Sequence, residues 1–193
     1  MIIGITGGTG CGKTTLLNVV RELGGTVIDC DAVYHELLRT DTAMLAAIDA
    51  QFPGTVEKGI LNRKKLGSIV FADPAALGRL NRITHTAIKQ EVENRLAGNQ
   101  SLAAIDAISL FESGLSELCK LTIAVTAPRE QRIARLMKRD SITREYATSR
   151  IDAQPPEEFF RKRCDYVLEN NETPQAFREK CLAFFAQLGI MKA

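Results

Sequence analysis

A glycine-rich turn near the start of the chain carries the strongest chemical signal in the sequence. Residues 7–14 read GGTGCGKT, in which Gly7, Gly12, Lys13 and Thr14 fit the pattern G-x-x-x-x-G-K-S/T. In such a turn, backbone N–H groups surround phosphate oxygens, the lysine reaches the β and γ phosphates, and the threonine hydroxyl can ligate Mg²⁺. The sequence therefore predicts a nucleoside triphosphate site with contacts from Thr9, Gly10, Cys11, Gly12, Lys13, Thr14 and Thr15.

Carboxylates follow two later apolar runs. The segment VIDCD places Asp29 and Asp31 at the carboxyl end of a predicted strand, the edge at which open α/β sheets bind ligands. Asp31, the residue directly after the predicted strand, is better placed than Asp29 to accept the proton of an attacking hydroxyl. Aspartates also end strands and cap helices, so the spacing alone leaves both roles open. Asp106, after another apolar run, can support Mg²⁺ through water or can simply end a strand.

Residues 129–150 form a highly charged segment. On one helix Arg132, Arg135 and Arg139 fall at i, i+3 and i+7, which is a single face, and Arg144 and Arg150 lie beyond it. Beside a phosphate loop, such a face predicts a lid that closes on the nucleotide, excludes water and stabilises charge in the transition state. Taken alone, a charge run is also typical of a solvated helix face.

The elements that must position these residues alternate along the chain. Five short apolar runs separated by helical segments predict an α/β fold with a doubly wound, five-stranded parallel sheet. From Ala32 to about Gly98 the pattern is helical without clear strands, which predicts a helical insertion. We expect a nucleotide-binding core, the insertion and the lid to occupy these ranges: core, 1–31, 99–128 and 151–193; insertion, 32–98; lid, 129–150.

The composition narrows the class of protein. The chain has 193 residues, of which 45% are apolar and 25% charged, as in one ordinary globular domain. A net charge of +2 gives no nucleic-acid signature, and no apolar run approaches the roughly 18 residues of a spanning helix. The five cysteines are widely spaced and form no CxxC pair, which favours a reducing cytoplasm. We therefore expect a cytoplasmic protein without nucleic-acid or membrane partners.

Taken together, these segments resemble one family, the dephospho-CoA kinases, nearly from end to end. The opening TGGTGCGKTT is similar to the phosphate loop of the family, and DCDAVYHEL is similar to its Asp-x-Asp segment. The remaining matches are LNRKKLGSIVF, RITHTAI for a His-Pro motif, SLFESGL for a Leu-Phe-Glu motif, QRIARLMKRD with SRIDAQ for the lid, and DYVLENN for the last strand and loop.

The resemblance implies a reaction and a set of roles. The reaction is transfer of the γ-phosphoryl group of ATP to the ribose 3′-hydroxyl of dephospho-CoA, the last step of coenzyme A synthesis. Asp31 is then the catalytic base and the insertion binds the acceptor. The other implied residues are Lys13 and Arg139 for catalysis, Asn170 near the adenine, Thr14 and Asp106 for Mg²⁺, and Arg63, His85, Phe111 and Glu112 for the acceptor. The implied partners are small-molecule substrates, and the implied assembly is a monomer or a weak homo-oligomer.

The chain departs from the family pattern at six positions outside the phosphate loop. Glu172 stands in place of a glycine, and a turn with positive φ there would strain it. The other departures are Asn62 for an aspartate, Thr86 for a proline, Ile108 and Ser109 for Pro-Leu, and Phe160 for a basic residue.

Three alternatives remain open at this point. The first is another small-molecule P-loop kinase, of the adenylate or shikimate type. The second is a degenerate kinase that acts as a nucleotide-binding module. The third is a GTP-binding switch, against which the sequence lacks an N/T-K-x-D segment that reads guanine. His85 can likewise be a histidine that only packs at a helix end and bonds backbone.

Overall fold

A five-stranded parallel sheet runs through the molecule, in a computed structural model that describes residues 1–98 and 101–190. Its strands in spatial order are β2 (Thr26–Asp29), β5 (Ala103–Asp106), β1 (Ile2–Thr6), β6 (Leu121–Thr126) and β7 (Tyr166–Glu169). Every neighbouring pair is parallel, as the alternating pattern of apolar runs and helices predicted. The order brings the ends of β1, β2 and β5 side by side, where the candidate residues lie.

Helices cover both faces of the sheet. They are α1 (Lys13–Glu22), α2 (Cys30–Thr40), α3 (Thr42–Gln51), α4 (Arg63–Val70), α5 (Pro74–Leu96), α6 (Arg129–Asp140), α7 (Arg144–Asp152), α8 (Glu157–Arg163) and α9 (Pro174–Gln187), with a 3₁₀ turn at Leu115–Leu118. Successive strand residues point to opposite faces, so Ala104 packs in the apolar cluster with α1 and α9 while Ile105 packs in the cluster with α2 to α5. The sheet is therefore doubly wound.

Two local details differ from the sequence pattern. The apolar run LAAIDAISLF continues past Asp106, but β5 ends at Asp106 and a loop follows, which carries Phe111 and Glu112 off the sheet. The segment 32–98 was expected to lack strands, yet a short antiparallel hairpin pairs β3 (Val56–Glu57) with β4 (Ile60–Leu61). The boundaries of core, insertion and lid stay predictions. Among the described helices, none is long and apolar enough to cross a membrane.

Candidate active site

Two cavities meet at the carboxyl edge of the sheet. The larger, about 680 Å³, lies over the glycine-rich turn and is walled by α6, by the end of α7 and by the ends of β2 and β5. The smaller, about 230 Å³, lies between α2, α5 and the loop after β5, and Tyr34, Asn81 and His85 line it. Asp31 and Ile108 line both cavities. The arrangement places one carboxylate where the two cavities meet.

The phosphate loop between β1 and α1 has the backbone that its glycines permit. Gly12 has φ +100°, and a Cβ there would lie 2.1 Å from Nδ2 of Asn170. A Cβ at Gly7, where φ is +132°, would lie 2.2 Å from the Val125 carbonyl oxygen. Lys13 donates from Nζ to the Gly7 carbonyl at 2.8 Å, which leaves the other two ammonium protons for phosphate oxygens. The Cys11 side chain is buried, so this residue can offer a ligand only its backbone.

The outer side of the loop is held by the helix that the sequence assigned to the lid. Arg132 donates to the Thr9 carbonyl at 2.9 Å, and Arg135 donates to the carbonyls of Gly10 and Cys11 at 3.3 Å. The single arginine face predicted from the sequence is therefore divided. Its first two members brace the loop, although Arg135 also lines the larger cavity, and Arg139 lines that cavity without bonding to the loop.

Asn170, expected near the adenine, has a different set of partners. Its side chain is only 5% exposed and donates from Nδ2 to the Cys11 carbonyl at 2.9 Å. Its Oδ1 accepts a hydrogen bond from Arg135 at 3.3 Å. These bonds make Asn170 a strut beneath the phosphate loop, and it does not line the larger cavity.

Asp29, the last residue of β2, and Asp31, in the first turn of α2, have separate roles that the sequence left open. Asp29 ends the strand and caps α2, since its Oδ1 accepts from the backbone N–H groups of Asp31 at 2.9 Å and Ala32 at 3.1 Å. Within the described part of the chain, no hydrogen bond or ion pair engages the Asp31 carboxylate. Capping thus falls to Asp29, and Asp31 is free to accept a proton from a ligand.

Asp106 lies opposite Asp29 at the end of the neighbouring strand. Its Oδ1 is buried without a hydrogen-bond partner, and burial raises the pKa of this carboxyl to about 6, although Lys13 opposes the shift. An orphaned carboxylate oxygen fits a magnesium site, and Thr14 lines the same cavity. The described residues contain no cluster of three or more metal-ligating side chains. An ion here would depend on phosphate oxygens and water as well, as Mg²⁺ usually does.

Two arginines of the predicted lid, Arg139 and Arg150, are oriented by one carboxylate. Asp140 at the end of α6 accepts from Nε and Nη2 of Arg139 at 2.7 and 2.9 Å, and from Nη1 of Arg150 at 2.6 Å. These guanidinium groups hold the pKa of Asp140 well below its usual range. Because each guanidinium has five N–H donors, both arginines keep unused donors that can bind phosphate.

The predicted acceptor residues separate into two groups. His85 lines the smaller cavity, and burial lowers its pKa while a bond to the Glu112 backbone partly opposes the shift. Arg63, Phe111 and Glu112 line neither cavity; Arg63 lies 3.2 Å from Nδ1 of His35. The residues of these cavities that sequence reasoning missed include Tyr34, Asn81 and Gln154. Tyr34 lies within DCDAVYHEL and Gln154 ends SRIDAQ, two segments that resemble the family, and Asn81 directly precedes RITHTAI, so these segments were the signal that could have found them.

The parallel sheet, the phosphate loop after β1, the free carboxylate after β2 and the arginine-bearing helical lid together define a P-loop kinase. Comparison with known proteins is more specific, because the family model described as CoaE, dephospho-CoA kinase, matches residues 1–175. The chain belongs to the dephospho-CoA kinase family. It is accordingly a phosphotransferase of coenzyme A biosynthesis.

Individual relatives agree with the family model over nearly the whole chain. A dephospho-CoA kinase of Anaeromyxobacter dehalogenans is 37% identical over 97% of this chain and 92% of its own. A Thermus thermophilus crystal structure is similar with a TM-score of 0.81 at 34% identity, over 97% of both chains. The dephospho-CoA kinase from Campylobacter jejuni is similar with a TM-score of 0.67 at 27% identity, over 97% of this chain and 96% of that one.

Proposed function

We propose that the chain uses ATP and Mg²⁺ to phosphorylate the ribose 3′-hydroxyl of dephospho-CoA, and that Asp31 accepts the hydroxyl proton. The observation that carries the assignment of roles is the position of Asp31, whose free carboxylate lines both cavities. In-line transfer requires the attacking oxygen on one side of the phosphoryl group and the leaving oxygen on the other. A base at the junction of the two cavities meets that requirement.

On the donor side, the loop N–H groups and Lys13 hold the β and γ phosphates. Thr14 and Asp106 would hold Mg²⁺, directly or through water, and the ion would neutralise charge on the phosphates. Arg139 supplies a further positive charge from the lid, with its guanidinium held in place by Asp140. Transfer of a phosphoryl group depends mainly on such positioning and charge stabilisation.

On the acceptor side, the ribose hydroxyl lies against Asp31 and the rest of the acceptor enters the smaller cavity. His85 and Asn81 face that cavity and can bind polar groups of the acceptor. His85 is half-buried and its lowered pKa favours the neutral imidazole; one ring nitrogen bonds to the Glu112 backbone, and the other is left to accept a hydrogen bond from the acceptor molecule. We assign binding roles to these two residues and the chemical role to Asp31.

The experiment compares two isosteric changes in the same cavity. Asp31→Asn should lower kcat with dephospho-CoA about 10²- to 10⁴-fold, the usual contribution of a general base, and leave ATP affinity nearly unchanged. Asp29→Asn is the matched control, because asparagine caps helices as well as aspartate does. Adenosine, AMP and shikimate serve as parallel acceptors.

Three results would contradict parts of the proposal. Wild-type kcat in Asp31→Asn would remove Asp31 as the base. Turnover of AMP or shikimate without turnover of dephospho-CoA would favour another small-molecule kinase. Binding of ATP without turnover of any acceptor would favour a nucleotide-binding module.

We also propose a cytoplasmic location and a monomeric or weakly associating state. All five cysteines are free thiols, which supports a reducing compartment. Sedimentation of the purified protein across a concentration series tests the assembly state. A single species of about 21 kDa at every concentration is expected for a monomer with the mass of this chain.

A further inference from the structure

Arg132 is a buried cation beneath the phosphate loop. Its side chain and backbone pack on Gly8 to Gly10, so closely that a Cβ at Gly8 would lie 2.2 Å from Nη2. The residue is 9% exposed, and burial lowers its pKa, although a guanidinium remains protonated. No ion pair within residues 1–98 and 101–190 includes Arg132, and the carboxylates of Asp152 and Glu157 act on it only through space. Its hydrogen bonds go to neutral oxygens of Thr9 and Gln154.

Gln154 completes the contact. Its Oε1 accepts from the Thr9 N–H at 2.7 Å and from Nη2 of Arg132 at 3.4 Å. Thr9 is therefore held at its N–H by a residue that follows α7 and at its carbonyl by a residue in the first turn of α6. Arg132 near the start of segment 129–150 and Gln154 just beyond its end thus hold the same residue of the phosphate loop, which fixes the loop to both sides of that segment.

The free energy of this arrangement depends on what occupies the cavity. A buried charge without a partner of opposite sign is costly, and an anion close by removes much of that cost. A polyphosphate on the loop is such an anion. A carboxylate at position 154 would also be an anion close to Arg132, and it would be present whether or not a ligand is bound.

We propose that Arg132 and Gln154 are positioning residues for phosphate binding: Gln154 fixes Thr9 as a neutral acceptor, and Arg132 keeps a charge without an ion-pair partner beneath the loop, which a bound polyphosphate neutralises further. The inference rests on the proposed function, since it takes the loop to be the triphosphate site. It explains why an amide serves at position 154, where a glutamate would make a stronger bond to Arg132.

The test is Gln154→Glu, which preserves shape and the acceptor for Thr9 but adds a negative charge. Affinities for ATP and for inorganic tripolyphosphate, measured by calorimetry, should each fall by about tenfold or more. The new carboxylate would neutralise Arg132 in place of the phosphates, and opposite charges at this range in a partly buried site interact strongly. The Tm of the ligand-free protein should stay equal or rise, because Arg132 gains a partner. Gln175→Glu, the same change at an exposed position on α9, should leave both affinities unchanged; it controls for affinity and not for Tm, because it replaces a bond to Glu179 with a second carboxylate.

A second variant separates the charge from the hydrogen bond. Gln154→Leu removes the acceptor for Thr9 without adding charge, so it should lower the Tm and weaken tripolyphosphate binding less than Gln154→Glu does. Wild-type affinity for tripolyphosphate in Gln154→Glu, or a lower Tm of that variant without ligand, would overturn the inference. A wild-type protein that binds neither ATP nor tripolyphosphate would refute the triphosphate site itself, and the inference with it.

Discussion

The substitution Asn170→Ala separates two possible roles for one buried amide. If Asn170 is a strut under the phosphate loop, its loss should destabilise the protein and weaken binding of every ligand that uses the loop. If it reads the adenine, only ligands with the base should be affected, and stability should hardly change. Its hydrogen bonds to Cys11 and Arg135 favour the first outcome.

The size of the effect follows from those bonds. The bond from Nδ2 to the Cys11 carbonyl, at 2.9 Å, has good geometry, and its loss should cost about 1 kcal/mol or slightly more. The bond from Arg135 is longer, and Arg135 keeps its other acceptors on the loop, so it adds a smaller amount. A total of about 1 to 2 kcal/mol corresponds to a fall in Tm of roughly 2 to 8 °C for a domain of this size.

The assay pairs thermal unfolding with two affinities, one for ATP and one for inorganic tripolyphosphate. We expect a lower Tm and parallel weakening of both ligands. Asn171→Ala is the neighbouring control, since Asn171 is exposed and bonds only to Glu169 by its amide. An unchanged Tm together with selective loss of ATP affinity would refute the strut and restore the adenine contact.

Three further changes test other parts of the site. Gly12→Ala should abolish ATP binding, because the new Cβ would lie 2.1 Å from Asn170; Gly24→Ala, also at positive φ but in open space, should retain it apart from about 1 kcal/mol of backbone strain. Asp106→Asn should raise the Mg²⁺ concentration for half-maximal turnover about 10- to 100-fold, measured by Mg²⁺ titration of initial rates. Burial lowers the pKa of His85, so the unfolding free energy of the wild type should decrease once the pH falls below 6.5, the ordinary pKa of histidine. His85→Gln lacks this titration, so between pH 7.5 and about 5.5 its unfolding free energy, measured by urea melts, should decrease less.

Hydrophobic spacing within short segments was sufficient to predict the elements that such segments form. The strand, turn and helix around Lys13 follow from hydrophobic spacing and glycine chemistry within about 20 residues, and the structure has them where they were expected. The five-stranded parallel sheet followed from the alternation of runs. The end of β5 could not be predicted in this way, because an apolar run does not show where hydrogen bonding to the neighbouring strand stops.

The site was less predictable because its contacts join distant parts of the chain. The spacing of Arg132 and Arg139 shows that they share a helix face, but not what that face meets. Arg132 bonds to Thr9, 123 residues earlier, and Gln154 bonds to the same residue across 145 positions. Asp31 was the exception: its position one step past a strand end already placed it at the ligand edge of the sheet.

Four of the six departures from the family pattern fall at positions where the structure accommodates the replacement residue. Asn62 caps α4 through a bond to the Lys65 N–H, which asparagine does as well as aspartate. Thr86 lies inside α5, where its N–H can join the helix and its hydroxyl bonds to the Arg82 carbonyl. Phe160 is buried against Phe159. Glu172 has no positive φ, so the strain considered for that turn does not arise.

The other two departures, Ile108 and Ser109, lie at the cavity proposed for the acceptor. Both line the smaller cavity, and Ile108 also lines the larger one beside Asp31. The Ile108 carbonyl accepts a bond from the Thr6 hydroxyl at 3.1 Å, so the loop remains tied to the end of β1 without the proline of the family pattern. Because the loop is tied to β1 through its backbone while the two side chains form part of the cavity wall, we expect these two residues to alter the KM for dephospho-CoA and to leave ATP affinity unchanged. The double change Ile108→Pro with Ser109→Leu, assayed for both constants, tests this, and an equal shift in the two would show that the loop moves the phosphate site as well.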